Sequence, residues 1–221
     1  MSGPKQMELR EAPIQEQGTP GSRADLDQPI FNVRILTSGR LPVRKSSGAV
    51  GYDVAVRAVV CPSLAFDLQD PAMRKTIFDF SLPNSDHPHR GMIEPLSGRG
   101  VGGRDEWVWR LDPGKHVFVG LGVIIELDPG WQCYTVPRGS TPNRHYLQVL
   151  DVHVPIDPDF RGEPVAHLIN RGDRPYSLRH GVSLVQFVFQ PVFRPMLRVV
   201  GQGEELSNTQ RGTNSFGSTG E

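Results

Sequence analysis

From Phe31 the chain alternates apolar and polar positions, Phe31, Val33 and Ile35 with Asn32 and Arg34 between them. A period of two predicts a strand with one buried face. Val54, Val56 and Ala58 repeat the alternation after Asp53. Asp112-Pro113-Gly114 and Asp128-Pro129-Gly130 then bracket a β-rich segment from Lys115 to Leu127. Both triplets are turn chemistry, because Pro presets φ and Gly accepts positive φ. Tyr146–Val154, Pro164–Ile169 and Ser183–Phe189 are further short β-type runs, separated by turn-formers such as Arg171-Gly172-Asp173 and His180-Gly181. Short strands at this spacing predict an all-β sandwich or barrel.

Between Cys61 and Arg110 the strand signal fades. Asp70-Pro71 ahead of AMRKTIF predicts a short helix, with Asp70 as N-cap and Pro71 at the first helical position. A Gly-rich stretch follows, and Trp107 and Trp109 mark the return to the sheet. Residues 62–108 therefore read as a mostly loop and short-helix insertion in a β-domain spanning 30–206. Residues 1–29 lack apolar periodicity and read as a disordered tail, and 207–221 as a flexible C-terminal arm. The acids of the N-terminal segment argue against a transit peptide, and no apolar h-region marks a secretory signal.

Composition narrows the class. The 221 residues carry 24 Lys+Arg against 24 Asp+Glu, which excludes the basic surplus of a protein that coats a nucleic acid polymer. Cys61 and Cys133 are too few for a disulfide scaffold and fit a reducing, cytoplasmic setting. The apolar stretch Val117–Ile125 is far short of the ~20 residues of a membrane span. The seven histidines show no zinc spacing, and His87-Pro88-His89 reads as an exposed loop.

Three segments carry candidate chemistry. VPRGST (Val136–Thr141) follows a strand with Arg, Gly and Ser, a possible phosphate cradle. IDPDFRGE (Ile156–Glu163) is either a turn between strands or a rigid strand end presenting Asp157 to a water. RGTNSFGSTGE (Arg211–Glu221) is either a disordered tail or an arm closing over a phosphorylated ligand.

Taken in order, GAVGYDV (Gly48–Val54), VPRGST, IDPDFRGE with INRG (Ile169–Gly172), HGVSLVQFVF (His180–Phe189) and RGTNSFGSTG (Arg211–Gly220) resemble the five motifs of the homotrimeric dUTPases, whose relatives include the dCTP deaminases. The resemblance runs from Phe31 to Gly220. It implies a jelly-roll-like distorted β-barrel, assembled as a trimer with sites at subunit interfaces. The implied reaction is Mg²⁺-dependent hydrolysis of dUTP to dUMP and pyrophosphate. In that reading Asp157 activates the water that attacks the α-phosphorus. Arg138, Gly139, Ser140, Gln186, Arg211, Ser218 and Thr219 hold the phosphates. Asp151, Val152, His153, Val154, Phe160, Phe216 and Gly217 surround base and sugar. Asp53 either reaches Mg²⁺ through water or is structural.

The departures open two alternatives. Phe160 replaces the family's usual Tyr, and Asp151-Val152-His153-Val154-Pro155 replaces a hairpin usually built of small residues. Pro155 donates no N–H. If Asp151 faces the base edge, its carboxylate favours cytosine's amino group; otherwise it pairs with His153 in solvent. A dCTP or modified-pyrimidine diphosphatase is therefore the first alternative. A nucleotide-sensing protein with a partner surface on the insertion is the second. The deaminases' Glu is expected at 167, where this chain has His167.

Overall fold

The computed structural model describes residues 29–80, 88–96 and 106–213, without the side chains of Leu96 and Glu106. The N-terminal tail to residue 28 and the arm residues Phe216, Gly217, Ser218 and Thr219 lie outside the described residues.

The strands, in chain order, are β1 (Asn32–Ile35), β2 (Tyr52–Ala55), β3 (Ala58–Val60), β4 (Thr76–Asp79), β5 (Ile93–Leu96), β6 (Glu106–Leu111), β7 (His116–Gly120), β8 (Val123–Glu126), β9 (Trp131–Pro137), β10 (Leu147–Val149), β11 (Pro155–Ile156), β12 (Val165–Asn170), β13 (Tyr176–Leu178) and β14 (Ser183–Pro191). One helix, α1 (Ser140–His145), follows β9. The pairs form sheets in the orders β10-β12-β7-β3-β4, β11-β9-β14-β2, β13-β6-β5 and β1-β8. The fold is all-β and jelly-roll-like, as the alternation predicts.

Alternation becomes a core where two sheets present inward faces. Along β12, Ala166, Leu168 and Asn170 are buried while Val165, His167 and Ile169 are not. Val117 and Val119 of β7, Val54 of β2, Cys133 of β9 and Phe187 of β14 join Leu168 in one cluster. Each fully buried Leu or Phe contributes about 1.5–3 kcal/mol relative to exposure. Burial pushes the Cys133 thiol up to about 12.

Three expectations differ from the structure. The strand beginning near Phe31 forms, but β1 is an edge strand paired only with β8, and Val33 and Ile35 are exposed. Phe31 alone turns inward, its ring centroid 5.2 Å from Phe189 and 5.5 Å from Trp131.

No helix follows Asp70-Pro71. Asp70 Oδ1 accepts from Ala72 N at 3.1 Å and Asp70 O from Met73 N, which closes one turn. The next backbone donors are then taken from outside. Arg74 N–H goes to Glu163 Oε2 at 2.8 Å and Lys75 N–H to Ala65 O at 2.8 Å. With Thr76, Ile77 and Phe78 β-prone, the chain leaves the turn as β4.

The stretch between Cys61 and Arg110 also carries more strand than its sequence suggests. It supplies β4 to the five-stranded sheet and the β5–β6 hairpin, on which Trp109 pairs with Ile93 and Leu178.

Candidate active site

The first group of predicted residues sits where β2, β14 and β9 run side by side. Asp53 on β2 is the register partner of Gln186 on β14, and Gln186 faces Val136 on β9. Arg138 follows β9 directly. Its Nε lies 2.9 Å from Asp53 Oδ1 as an ion pair, and its Nη1 donates to Ser183 O at 3.0 Å. A third of the Arg138 side chain is exposed, and these two contacts use only two of the five N–H donors of a guanidinium. Asp53 is nearly buried, and its Oδ2 has no hydrogen-bond partner.

Gly139 and Ser140 open α1, and the turn is anchored to β14. Arg138 N–H and the Thr141 hydroxyl both donate to Leu184 O, while Thr141 N–H donates to Arg138 O at 2.9 Å. Gly51 admits Gln186. A Cβ at Gly51 would fall 2.1 Å from Gln186 Oε1, so the amide lies across the start of β2 only because no side chain stands there.

The second group surrounds Asp157. Pro155 and Ile156 pair with Tyr134 and Cys133 of β9, and Phe160 N–H donates to Asp157 O at 3.1 Å to close the turn after the strand. Asp157, Phe160, Asp151 and Val154 line one cavity of ≈ 230 Å³, with Thr135 of β9 and Arg74. Asp157 also borders a wider cleft of ≈ 670 Å³ with Glu126, Asp159 and Arg161. Asp151 is not paired with His153. Its Oδ1 accepts from the His167 backbone N–H at 3.1 Å, which holds the carboxylate at the cavity edge. Val152 packs against the core, and the exposed His153 has its ring centroid 5.7 Å from that of Tyr134, at φ +65°.

His167 lies on the other face of β12. Its Nε2 is 2.9 Å from His116 Nδ1, and its ring stacks on Phe118 with centroids 3.9 Å apart. Burial, then the His116 charge, pushes its pKa below the usual imidazole range, and Asp151 opposes them.

Arg211 lies on an exposed turn closed by Gly212 N–H to Thr209 O at 3.1 Å. The two groups themselves are well separated within one chain. Ile156 is held opposite Cys133, and Arg138 is five residues further along. At 3.3 Å per residue that is roughly 17 Å along β9.

The residues around Glu163 were not singled out by sequence as part of the site. Glu163 is fully buried, with Oε1 and Oε2 accepting from Arg57 Nε and Nη2 at 2.8 and 2.9 Å. It also accepts from Gly122 N–H and Arg74 N–H, both at 2.8 Å. Burial lowers the Arg74 pKa, and the Glu163 charge partly opposes it. One signal was available: Arg57 interrupts an otherwise apolar run from Val54 to Val60. A cation in such a run needs a buried partner.

Among the described residues, no group of three or more His, Cys, Asp and Glu could hold a metal ion. The unpartnered Asp53 Oδ2 is a single buried acceptor beside Arg138. It suits an ion that arrives on a triphosphate and keeps most of its water, not a protein-caged one.

A family model described as dUTPase matches residues 107–220. Deoxyuridine 5'-triphosphate nucleotidohydrolases of Brucella melitensis and Brucella suis are 34% identical over 110 residues, covering 50% of this chain and 68% of theirs. A dUTPase of Staphylococcus bacteriophage 80alpha, solved with dUpNHpp, shares the fold at a TM-score of 0.58 and 17% identity, over 88% of this chain and all of that one. The dUTPase of phage phi11, solved for its coordination of a structural Mg(II) ion, aligns over 79% of this chain and 99% of its own at a TM-score of 0.51 and 15% identity. The chain belongs to the dUTPase family of nucleotide diphosphatases.

Proposed function

We propose that this protein hydrolyses dUTP to dUMP and pyrophosphate, with Asp157 as the general base for the attacking water. The observation that carries the proposal is the placement of Asp157. Asp157 is exposed and lines a cavity of ≈ 230 Å³, on a turn closed by the Phe160–Asp157 hydrogen bond. A positioned base of this kind contributes roughly 10²–10⁴ in rate. In this reading the deoxyribose lies against Phe160, whose ring would leave little room for a 2′-hydroxyl.

Arg138, ion-paired to Asp53 and bonded to Ser183 O, is oriented for phosphate oxygens, with Gln186 beside it. Gly139 and Ser140 complete that side, and Arg211, Phe216, Gly217, Ser218 and Thr219 close from the arm. Asp53 Oδ2 is the acceptor that would meet the water shell of a Mg²⁺ carried on the triphosphate, an ion that would neutralise phosphate charge. The roughly 17 Å between the two groups along β9 supports a site shared between subunits, with Asp157 of one facing Arg138 of another, and the family resemblance makes that assembly a homotrimer. Pre-positioned charge of this kind is how phosphoryl transfer is chiefly accelerated.

A second reading changes only the base. Asp151 is a fixed carboxylate at the cavity edge and Pro155 has no N–H to donate, a combination that matches an exocyclic amino group better than a carbonyl. Pyrophosphate release from dUTP, dCTP and dTTP on one preparation separates the readings. Turnover confined to dUTP removes the second, preference for dCTP replaces the first, and no turnover of any of the three refutes both.

A further inference from the structure

Leu64–Lys75 lies in the stretch that reads as an insertion, yet it is knitted to the hairpin that carries Asp157. Phe66 and Arg74 face each other in an antiparallel bridge, with Asp67 N–H on Met73 O and Lys75 N–H on Ala65 O, both at 2.8 Å. Three bonds fasten this loop to Glu163. Glu163 N–H donates to Ala72 O at 2.7 Å, Arg74 N–H to Glu163 Oε2 at 2.8 Å, and Arg74 Nε to Glu163 O at 3.1 Å. The Arg74 guanidinium lies 4.0 Å from the Phe66 ring centroid and also donates to Leu64 O.

The Phe66 ring shares a neighbour with Phe160. Both converge on the buried Gly162, where a Cβ would fall 2.7 Å from Phe160 Cζ and 2.8 Å from Phe66 Cε1. Arg74 borders the same cavity as Phe160 and Asp157. The contacts run from Glu163 through Arg74 to Phe66, and Phe66 flanks Gly162 together with Phe160, the ring that the dUTPase reading sets against the sugar.

We propose that Phe66 and Arg74 are positioning residues: they brace Phe160, so that this segment sets the discrimination between deoxyribose and ribose nucleotides. The inference rests on the dUTPase reading. A ring rejects a 2′-hydroxyl by bulk only if it cannot yield, and an apolar surface rejects an added hydroxyl by about 10² at most. Bracing decides how much of that factor is realised. A planar guanidinium stacked on Phe66 fixes that ring, which a Lys ammonium does not.

The test measures dissociation constants of the α,β-imido analogues of dUTP and UTP, with Mg²⁺, for the full chain and for Phe66→Ala and Arg74→Lys. The ratio of UTP- to dUTP-analogue constants is expected to fall about tenfold in Phe66→Ala and in the same direction in Arg74→Lys. If both analogues weaken in parallel and the ratio holds, Phe66 and Arg74 are merely structural and the inference is overturned. Wild-type chain that binds neither analogue overturns the dUTPase reading, and the inference with it. Should Phe66→Ala not fold by thermal denaturation, Phe66→Leu keeps volume but not the flat ring. It is expected to lower the ratio to an intermediate value, and an unchanged ratio there is equally fatal.

Discussion

Glu163 and Arg57 form a two-pronged ion pair in the interior, with both side chains almost wholly out of solvent. Removing one partner of such a pair costs about 3–5 kcal/mol, because the other charge is left uncompensated. Glu163→Gln is expected to lower unfolding free energy by that order in urea denaturation. Replacing both residues by Leu should not restore it, because Gly122 and Arg74 N–H would then lose their acceptor. A Glu163→Gln chain within about 0.5 kcal/mol of wild type would contradict this.

Gly51→Ala separates stability from binding. The added Cβ meets the end of the Gln186 side chain, which is flexible and can swing away, so the stability change should stay below about 1 kcal/mol. The amide would then leave the phosphate side. A lost hydrogen bond to a charged group is worth about 1.5–3 kcal/mol, so KM for dUTP is expected to rise roughly tenfold to a hundredfold. An unchanged KM with Gln186 displaced would remove Gln186 from the phosphate site.

His167 gives the protein a pH-dependent stability term. Its folded-state pKa lies below the ordinary 6.5, so unfolded chains take up the proton first. The contribution is therefore complete above about 6.5 and is lost as pH falls through the folded pKa. His116 and Asp151 are the titratable neighbours. Melting temperature followed downward from pH 7 should decline less steeply in His167→Gln than in wild type. Proton NMR of the His167 ring should show a midpoint below 6.5, and a midpoint above it would contradict the assignment.

What the sequence made legible was periodic or local. β12 and β14 overlap the β-type runs Pro164–Ile169 and Ser183–Phe189, and the two Asp-Pro-Gly turns bracket β7 and β8. Asp70-Pro71 misled because the same residues that cap a helix also close a single turn, and only Glu163 and Ala65 decide which. β1 looked half-buried because alternation records which face is apolar, not what covers it. The candidate site residues came from motifs, but their grouping in space did not. The Arg138–Asp53 ion pair, the Asp151–His167 bond and the convergence of Phe66 and Phe160 on Gly162 join positions far apart in the chain. Nothing local in composition encodes them.

The central claim is that Asp157 activates water while other groups hold the nucleotide, and Asp157→Asn tests it most directly. Pyrophosphate release from dUTP with Mg²⁺ should fall by roughly 10²–10⁴, while the imido analogue of dUTP binds within about threefold of wild type. An Asp157→Asn protein that releases pyrophosphate at the wild-type rate would contradict the account.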